Sequence, residues 1–188
     1  MLSKIRPKVK QPLERIGKTL ASLGITPNQL TIIGFLITLL ASYEFYLQNQ
    51  ILAGIILAVG AFLDALDGAL ARATGKVSKF GGFLDSTIDR LSDASILFGI
   101  ALGGLVRWDV TFLTLIGSYM VSYSRCRAEL AGSGTLAIGI AERGERIIII
   151  FIASLFNAVK IGVYLVAILS WITFIQRVYE AKKRLEMG

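Results

Sequence analysis

Long apolar stretches separated by short polar or glycine-containing segments dominate this chain of 188 residues. A helix that crosses a lipid bilayer needs about 20 mostly apolar residues. Six segments approach that length: residues 27–48, 51–72, 82–103, 109–130, 145–158 and 161–179. The fifth is short, since its apolar run extends only from about Ile147 to Phe156. Apolar residues make up 54% of the chain and charged residues 18%, which excludes disorder, a coiled coil and a nucleic-acid-binding domain despite a net charge of +7. We therefore expect an all-α integral membrane protein with six transmembrane helices.

The distribution of basic residues orients this arrangement, because cytoplasmic loops of membrane proteins are enriched in Lys and Arg. With six spans, 18 of the 20 Lys and Arg residues fall on the side of the N-terminus, and only Arg107 and Lys160 fall on the other. Both termini are therefore predicted to be cytoplasmic in a multi-pass protein of the cell membrane. Residues 1–23 interleave cations with apolar side chains, a pattern typical of an amphipathic helix at the membrane interface. We expect a single domain over 1–188, with a six-helix bundle at 27–179 and a cytoplasmic tail at 180–188.

The near absence of cysteine and the lack of histidine limit the possible metal sites, and the spacing of two glycines bears on helix packing. The chain has one cysteine, Cys126, and no histidine, which excludes a disulfide framework and metal sites built from thiolates or imidazoles. Any metal must bind to oxygen ligands. Gly99 and Gly103 are four residues apart in the third span, a spacing that favours close packing of two membrane helices.

Five aspartates fall within 30 residues, at the cytoplasmic end of the second span and the start of the third: Asp64, Asp67, Asp85, Asp89 and Asp93. An aspartate at the centre of a membrane helix costs about 2.5–3.5 kcal/mol, so these side chains must face a polar interior. The first two are three residues apart and the next two are four apart, which puts each pair on one face of its helix. Two helices that present paired carboxylates to each other predict an oxygen site for Mg²⁺ or Mn²⁺.

Groups suited to phosphate follow the first pair of acids. Gly68 would let a ligand approach the backbone closely, and Arg72 offers a planar guanidinium that can bind a phosphate through two hydrogen bonds. A metal site beside phosphate-binding groups is typical of phosphoryl transfer. Two alternatives remain from these residues alone: salt bridges of the acids to Arg72 and Arg90, or an ion path through the membrane.

The order and spacing of these residues resemble the signature of the CDP-alcohol phosphotransferase family at every fixed position: Asp64, Asp67, Gly68, Ala71, Arg72, Gly81, Asp85 and Asp89. The resemblance implies a homodimeric membrane enzyme that moves a substituted phosphate from a CDP-linked lipid to the hydroxyl of a small alcohol and releases CMP. It also implies roles for individual residues. Asp64, Asp67 and Asp85 would bind the metal. Asp89 would be the general base and in some members also a metal ligand, and Gly68, Ala71 and Arg72 would lie against CDP together with Asp64 and Asp67. Asp93 lies outside the signature, where we expect it to support the site.

The start of the first span adds a candidate for nucleotide binding. Thr26 followed by Pro27 is typical of a helix start. Asn28 and Thr31 follow in the first turns of this helix, and the CDP-binding prediction includes Thr31.

Arginines near the fourth and fifth spans favour an acceptor alcohol that carries a phosphate, since arginine clusters suit a phosphate. The segments 122–129 and 142–146 resemble those of phosphatidylinositol-phosphate and archaetidylinositol-phosphate synthases. By that resemblance, the phosphate of inositol phosphate would be held by Ser122, Arg125, Arg143, Arg146 and Arg177. Glycerol phosphate would suit the same arginines, which could instead be membrane anchors balanced by nearby glutamates. An ion or proton transporter is the alternative from another class.

Overall fold

The computed structural model describes residues 6–186, with side chains from residue 12 onwards. Within that range the chain forms seven helices and no strand: α1 (Arg6–Ser22), α2 (Pro27–Tyr46), α3 (Gln50–Ala73), α4 (Lys79–Leu102), α5 (Trp108–Leu130), α6 (Arg143–Leu155) and α7 (Val159–Glu186). The all-α prediction is confirmed. The first five residues of the segment 1–23 and the last two of the segment 180–188 lie outside the described residues.

The helix boundaries of α2 to α6 lie within three residues of the predicted segments, and the end of α7 lies seven residues beyond its segment. The fifth apolar segment was expected at 145–158, but α6 begins at Arg143 and ends at Leu155. It ends early because the chain turns at Asn157, whose φ of 53° is left-handed. α7 continues to Glu186, so the predicted tail is a helical extension of the last span as far as that residue.

Between residues 6 and 186, three helices are long and apolar enough to cross a membrane: α2, α3 and α7. α4 and α5 have 24 and 23 residues, but no 18-residue stretch of either helix is as apolar and as poor in charge as those of the other three. α6 has only 13 residues, which corresponds to about 20 Å of helix. Large apolar side chains nevertheless remain exposed on the outer faces of most helices, among them Leu36, Leu40, Phe98 and Ile168. Such faces suit contact with lipid rather than water.

The core forms where α2, α3, α4, α6 and α7 meet, around buried residues such as Phe45, Leu57, Ile100 and Val163. Close packing of α4 on α2 depends on two glycines. A Cβ on Gly99 would overlap the carbonyl oxygen of Ser42, and a Cβ on Gly103 would overlap that of Phe45. The prediction that this spacing serves helix packing is confirmed.

α1 crosses the second half of α3, the half that carries Asp64 and Asp67. Leu13 and Leu20 of α1 pack against a small buried cluster formed by Leu30, Leu66 and Leu70. Gly17 makes the approach close, since a Cβ at this position would come within 3.0 Å of the Leu70 backbone. α1 therefore supports the segment of α3 on which the acids lie.

Candidate active site

Three carboxylates meet where the end of α3 faces the start of α4. Asp64, Asp67 and Asp85 each offer one oxygen, and these oxygens all lie within 4.8 Å of one another. Oxygens bound to one Mg²⁺ at about 2.1 Å are at most about 4.2 Å apart, so a small side-chain movement is enough to surround such an ion. Among the residues that the structure describes, these three form the group suited to a metal ion, and their chemistry fits Mg²⁺ or Mn²⁺.

Thr31 orients the most buried of these acids. Its hydroxyl donates a hydrogen bond to Oδ2 of Asp67, whose exposed fraction is only 6%. The predicted helix start at Thr26, five residues before Thr31, is confirmed. Thr26 accepts a hydrogen bond from the Gln29 amide, and the Gln29 side chain accepts one from the Thr26 amide. Thr31 was predicted to contact CDP, and its contact with Asp67 brings it to the edge of the acidic group.

Asp89 lies beside these acids but faces arginines. Nη1 of Arg143 is 2.5 Å from its Oδ1, and Nη1 of Arg90 is 3.3 Å from its Oδ2. The same Nη1 of Arg143 donates a hydrogen bond of 2.7 Å to Oδ2 of Asp64. Arg143, predicted to bind the phosphate of the acceptor, therefore bridges two of the aspartates on neighbouring helices.

Asp93 supports two arginines of α6. Its Oδ1 accepts a hydrogen bond of 3.3 Å from Nε of Arg143, and its Oδ2 accepts one of 2.8 Å from Nη2 of Arg146. Arg146 is 4% exposed and also donates to the carbonyl of Ala141. This aspartate thus fixes the start of α6 against α4, which agrees with the supporting role expected for a residue outside the signature.

Negative charge exceeds positive charge in this region. Three of the five aspartates, Asp64, Asp89 and Asp93, share contacts with three guanidinium groups: those of Arg90, Arg143 and Arg146. In the described part of the chain, neither Asp67 nor Asp85 has a cationic side chain within 4.0 Å. A half-buried site in which two carboxylates have no salt-bridge partner among the described residues favours a divalent cation.

The other residues predicted to contact CDP follow on α3. Arg72 is exposed, and its Nη1 lies over Gly68, 3.2 Å from where a Cβ would be. Ala71 is half-buried on the same side of the helix. The glycine leaves space beside Asp64 and Asp67 that Arg72 covers and that a ligand would enter if this side chain moved.

The remaining arginines predicted for the acceptor have partners within the protein. Nε of Arg125 is 2.9 Å from Oε1 of Glu129. Arg177 is 2% exposed, donates to the carbonyls of Ile138 and Val121, and lies 3.5 Å from Glu142. Ser122 is half-buried on α5. Arg177 is within electrostatic range of Arg125 and Arg146, so these arginines share one region of the bundle.

The segment between α5 and α6 is held in place by side chains of α5 and α7. The amides of Ile140 and Ala141 donate to Oγ1 of Thr173 on α7. The amide of Leu136 donates to Glu129 on α5. Gly139, with φ of 125°, lies so close to Thr173 that a Cβ would overlap it. Arg177 stabilises the same segment through its hydrogen bond to the Ile138 carbonyl, a role that the sequence did not indicate.

Comparison with known proteins identifies the family. The model of the CDP-alcohol phosphatidyltransferase family matches residues 24–179. The chain belongs to this family. The family match covers α2 to α6 and most of α7, and it includes all five aspartates.

Relatives within the CDP-alcohol phosphatidyltransferase family match most of this chain. The archaetidylinositol phosphate synthase of Methanothermobacter thermautotrophicus is 38% identical over 99% of this chain and 96% of its own. The phosphatidylinositol phosphate synthase of Streptomyces avermitilis is 33% identical over 85% of this chain and 73% of its own. The crystal structure of the Mycobacterium tuberculosis phosphatidylinositol phosphate synthase with manganese and citrate has a TM-score of 0.81 at 28% identity, and covers 90% of this chain and 88% of its own. A second structure of that enzyme, with CDP-DAG bound, has a TM-score of 0.79.

Proposed function

We propose that this protein transfers a substituted phosphate from a CDP-linked lipid to the hydroxyl of inositol phosphate and releases CMP, as a step in phospholipid synthesis. The observation that carries the proposal is the meeting of three carboxylates of α3 and α4 within 4.8 Å, beside arginines of α5, α6 and α7. Relatives named for inositol phosphate products, and a similar structure with CDP-DAG bound, support the choice of substrates. The lipid is CDP-diacylglycerol or CDP-archaeol.

The donor half of the site is assigned to α2, α3 and α4. Asp64, Asp67 and Asp85 hold Mg²⁺ or Mn²⁺, with Asp89 as a further ligand. The bound cation would neutralise charge on the pyrophosphate and stabilise CMP as it leaves. Gly68, Ala71 and Arg72 lie against the CDP group together with Thr31, Asp64 and Asp67. Asp89 accepts the proton of the attacking hydroxyl, which is a poor nucleophile until a carboxylate within hydrogen-bond reach takes that proton.

The acceptor half is assigned to residues of α5, α6 and α7, whose guanidinium groups suit a phosphate: Ser122, Arg125, Arg143, Arg146 and Arg177. Glycerol phosphate remains the alternative acceptor, because charge alone does not distinguish the two phosphates. An ion or proton transporter is disfavoured. Transport sites commonly lie on interrupted helices, whereas α3 and α4 are continuous, and their candidate metal ligands lie in the second half of α3 and the first half of α4.

The proposed membrane arrangement has six transmembrane helices, α2 to α7, with α1 at the interface. Both termini and the active site are assigned to the cytoplasmic face of the cell membrane, on the side that carries 18 of the 20 basic residues. The chain is a single domain over 1–188 and forms a homodimer, as the family resemblance implies.

A CMP-release assay on the purified protein tests this function. We expect release from the CDP-lipid only when inositol phosphate and Mg²⁺ or Mn²⁺ are both present. Release with glycerol phosphate in place of inositol phosphate would show that glycerol phosphate is the acceptor. Release with serine or free inositol would contradict the proposal that the acceptor carries a phosphate. Asp64→Asn should abolish turnover. Asp109→Asn is a matched control, because Asp109 is exposed and paired with Arg107 at the opposite end of the bundle.

A further inference from the structure

Arg143 has an unusual position for a residue assigned to the acceptor. One nitrogen, Nη1, lies 2.7 Å from Asp64 on α3 and 2.5 Å from Asp89 on α4. Nε lies 3.3 Å from Asp93. A single positive group thus bridges carboxylates of two helices, as a metal ion would. The side chain is still 20% exposed, so solvent reaches it.

The two carboxylates bridged by Arg143 are also assigned to the divalent cation. Asp89 has one oxygen against Arg143 and the other against Arg90. Ligand oxygens must approach a small divalent cation to about 2.1 Å, and two positive charges at that spacing repel each other strongly. Asp89 therefore binds either Arg143 or the cation through Oδ1.

Of the two α6 arginines, Arg143 is the one that can leave. Arg146 is 4% exposed and donates both to Asp93 and to the Ala141 carbonyl. The contact of Arg143 with Asp89, by contrast, lacks hydrogen-bond geometry, and Oδ1 of Asp89 is a buried oxygen that accepts no hydrogen bond among the described residues. Arg143 keeps a short charge-assisted hydrogen bond to Asp64, but its ion pair with Asp89 has no well-aligned hydrogen bond and is therefore weaker than the bond that Arg146 makes to Asp93.

Arg143 also lies next to the residues assigned to the acceptor. It is the first residue of α6, and the preceding Glu142 lies 3.5 Å from Arg177. A guanidinium at this helix start can turn toward the arginines of α5 and α7 without a change in the fold, because its backbone is held by the neighbouring Arg146–Asp93 pair.

We propose that Arg143 is a movable counter-cation. Without metal it neutralises Asp64 and Asp89, it gives up these carboxylates when a divalent cation binds, and the released guanidinium then binds the phosphate of the acceptor. This proposal rests on the function proposed above and adds the order of two events: the metal displaces Arg143, and Arg143 then binds the acceptor phosphate. The metal and the phosphorylated acceptor assist each other, because each favours the position of Arg143 that the other needs, and such coupling is reciprocal by thermodynamic linkage.

Binding of Mn²⁺ to the full-length protein in detergent tests this without turnover. Electron paramagnetic resonance measures free Mn²⁺, with the free concentration calibrated in buffer that contains the same inositol phosphate. In the wild type, we expect inositol phosphate to tighten Mn²⁺ binding by about fivefold or more, and free inositol to have no effect. Arg143→Gln should bind Mn²⁺ about tenfold more tightly than the wild type and lose the response to inositol phosphate.

Arg146→Gln is the matched control, since it removes the same charge from the same helix without touching Asp64 or Asp89. Its Mn²⁺ affinity should rise less than that of Arg143→Gln. Equal affinities in the two variants, or an Arg143→Gln protein that binds Mn²⁺ no more tightly than the wild type, would overturn the proposal. If a variant does not fold, the wild-type response decides, and its absence also overturns the proposal.

The two proposals fail separately. The Mn²⁺ affinities of the wild type and Arg143→Gln without acceptor do not depend on which alcohol the enzyme uses. A protein that releases CMP only with glycerol phosphate would defeat the proposed acceptor, and the Mn²⁺ experiment is then run with glycerol phosphate.

Discussion

At the scale of single residues, the candidate metal site depends on a hydroxyl contributed by α2, a helix that supplies none of the five aspartates. Asp67 is almost fully buried, and Thr31 of α2 donates a hydrogen bond to one of its oxygens. A buried carboxylate without such a donor has a large desolvation cost. The hydroxyl also fixes which way the carboxylate faces, and residues that orient ligands commonly affect metal affinity by 10–100-fold.

Replacement of this hydroxyl tests its role. We expect Thr31→Val to raise the Mg²⁺ concentration for half-maximal CMP release by about tenfold, because Asp67 loses its donor and turns away from Asp64 and Asp85. Thr31→Ser should stay near the wild type. Thr38→Val is the control, since Thr38 is buried in the same helix but donates only to the Gly34 carbonyl. Equal Mg²⁺ requirements in the two valine variants would contradict the prediction.

The site residues show which part of the structure could be predicted from the sequence. Spacing along one helix indicated that the aspartate pairs share a face, and Thr26 and Pro27 indicated the start of α2. The contacts of Arg143 with Asp64, 79 residues away, and of Thr31 with Asp67, 36 residues away, depend on how the helices pack. No local pattern encodes such pairs. A charge cluster therefore predicted that arginines lie near the site but not which carboxylates they contact.

At the scale of helices, the crossing of α2 and α4 keeps the start of α4 in register with the end of α3. Gly99 lies against the Ser42 carbonyl, and the Ser42 hydroxyl donates to the carbonyl of Ser95 one turn earlier. The crossing is thus held by backbone contact and one interhelical hydrogen bond. Because α4 carries Asp85 and Asp89, any separation of the two helices also moves these carboxylates relative to Asp64.

A pair of glycine variants in α4 tests this crossing. Gly99→Ala should lower the free energy of unfolding by about 1–3 kcal/mol, since the new methyl group overlaps a backbone carbonyl that cannot rotate away. Gly82→Ala is the control: it lies in the same helix with nothing within 4 Å of the new Cβ, and alanine is the better helix former by about 0.5–1 kcal/mol. Thermal unfolding in detergent measures both. A Gly99→Ala protein as stable as Gly82→Ala would show that the helices do not need this contact.

At the scale of the whole molecule, the proposed topology depends most on α6. Its 13 residues extend about 20 Å, while the apolar core of a bilayer is about 30 Å thick. Short helices can be accommodated where the bilayer thins or where flanking polar side chains reach the interface. Arg143 and Arg146 lie in the first turn of α6, and the turn at Asn157 follows its other end. The distribution of basic residues favours a crossing, because without it α7 would carry its four C-terminal cations to the side opposite the other basic residues: Arg177, Lys182, Lys183 and Arg184.

Cysteine labelling tests this crossing directly, because α6 is the helix that separates Cys126 from Lys160. Cys126 is exposed near the end of α5, and Lys160 is exposed at the start of α7. With six spans, a membrane-impermeant maleimide should label wild-type Cys126 in inside-out vesicles and not in intact cells. The double variant Cys126→Ser/Lys160→Cys should show the reverse. If both positions are labelled from the same side, α6 does not cross and the number of spans is wrong. If Cys126 is labelled only in intact cells, the orientation is inverted, and the aspartates would then face away from the cytoplasmic supply of phosphorylated acceptor that the proposed function requires.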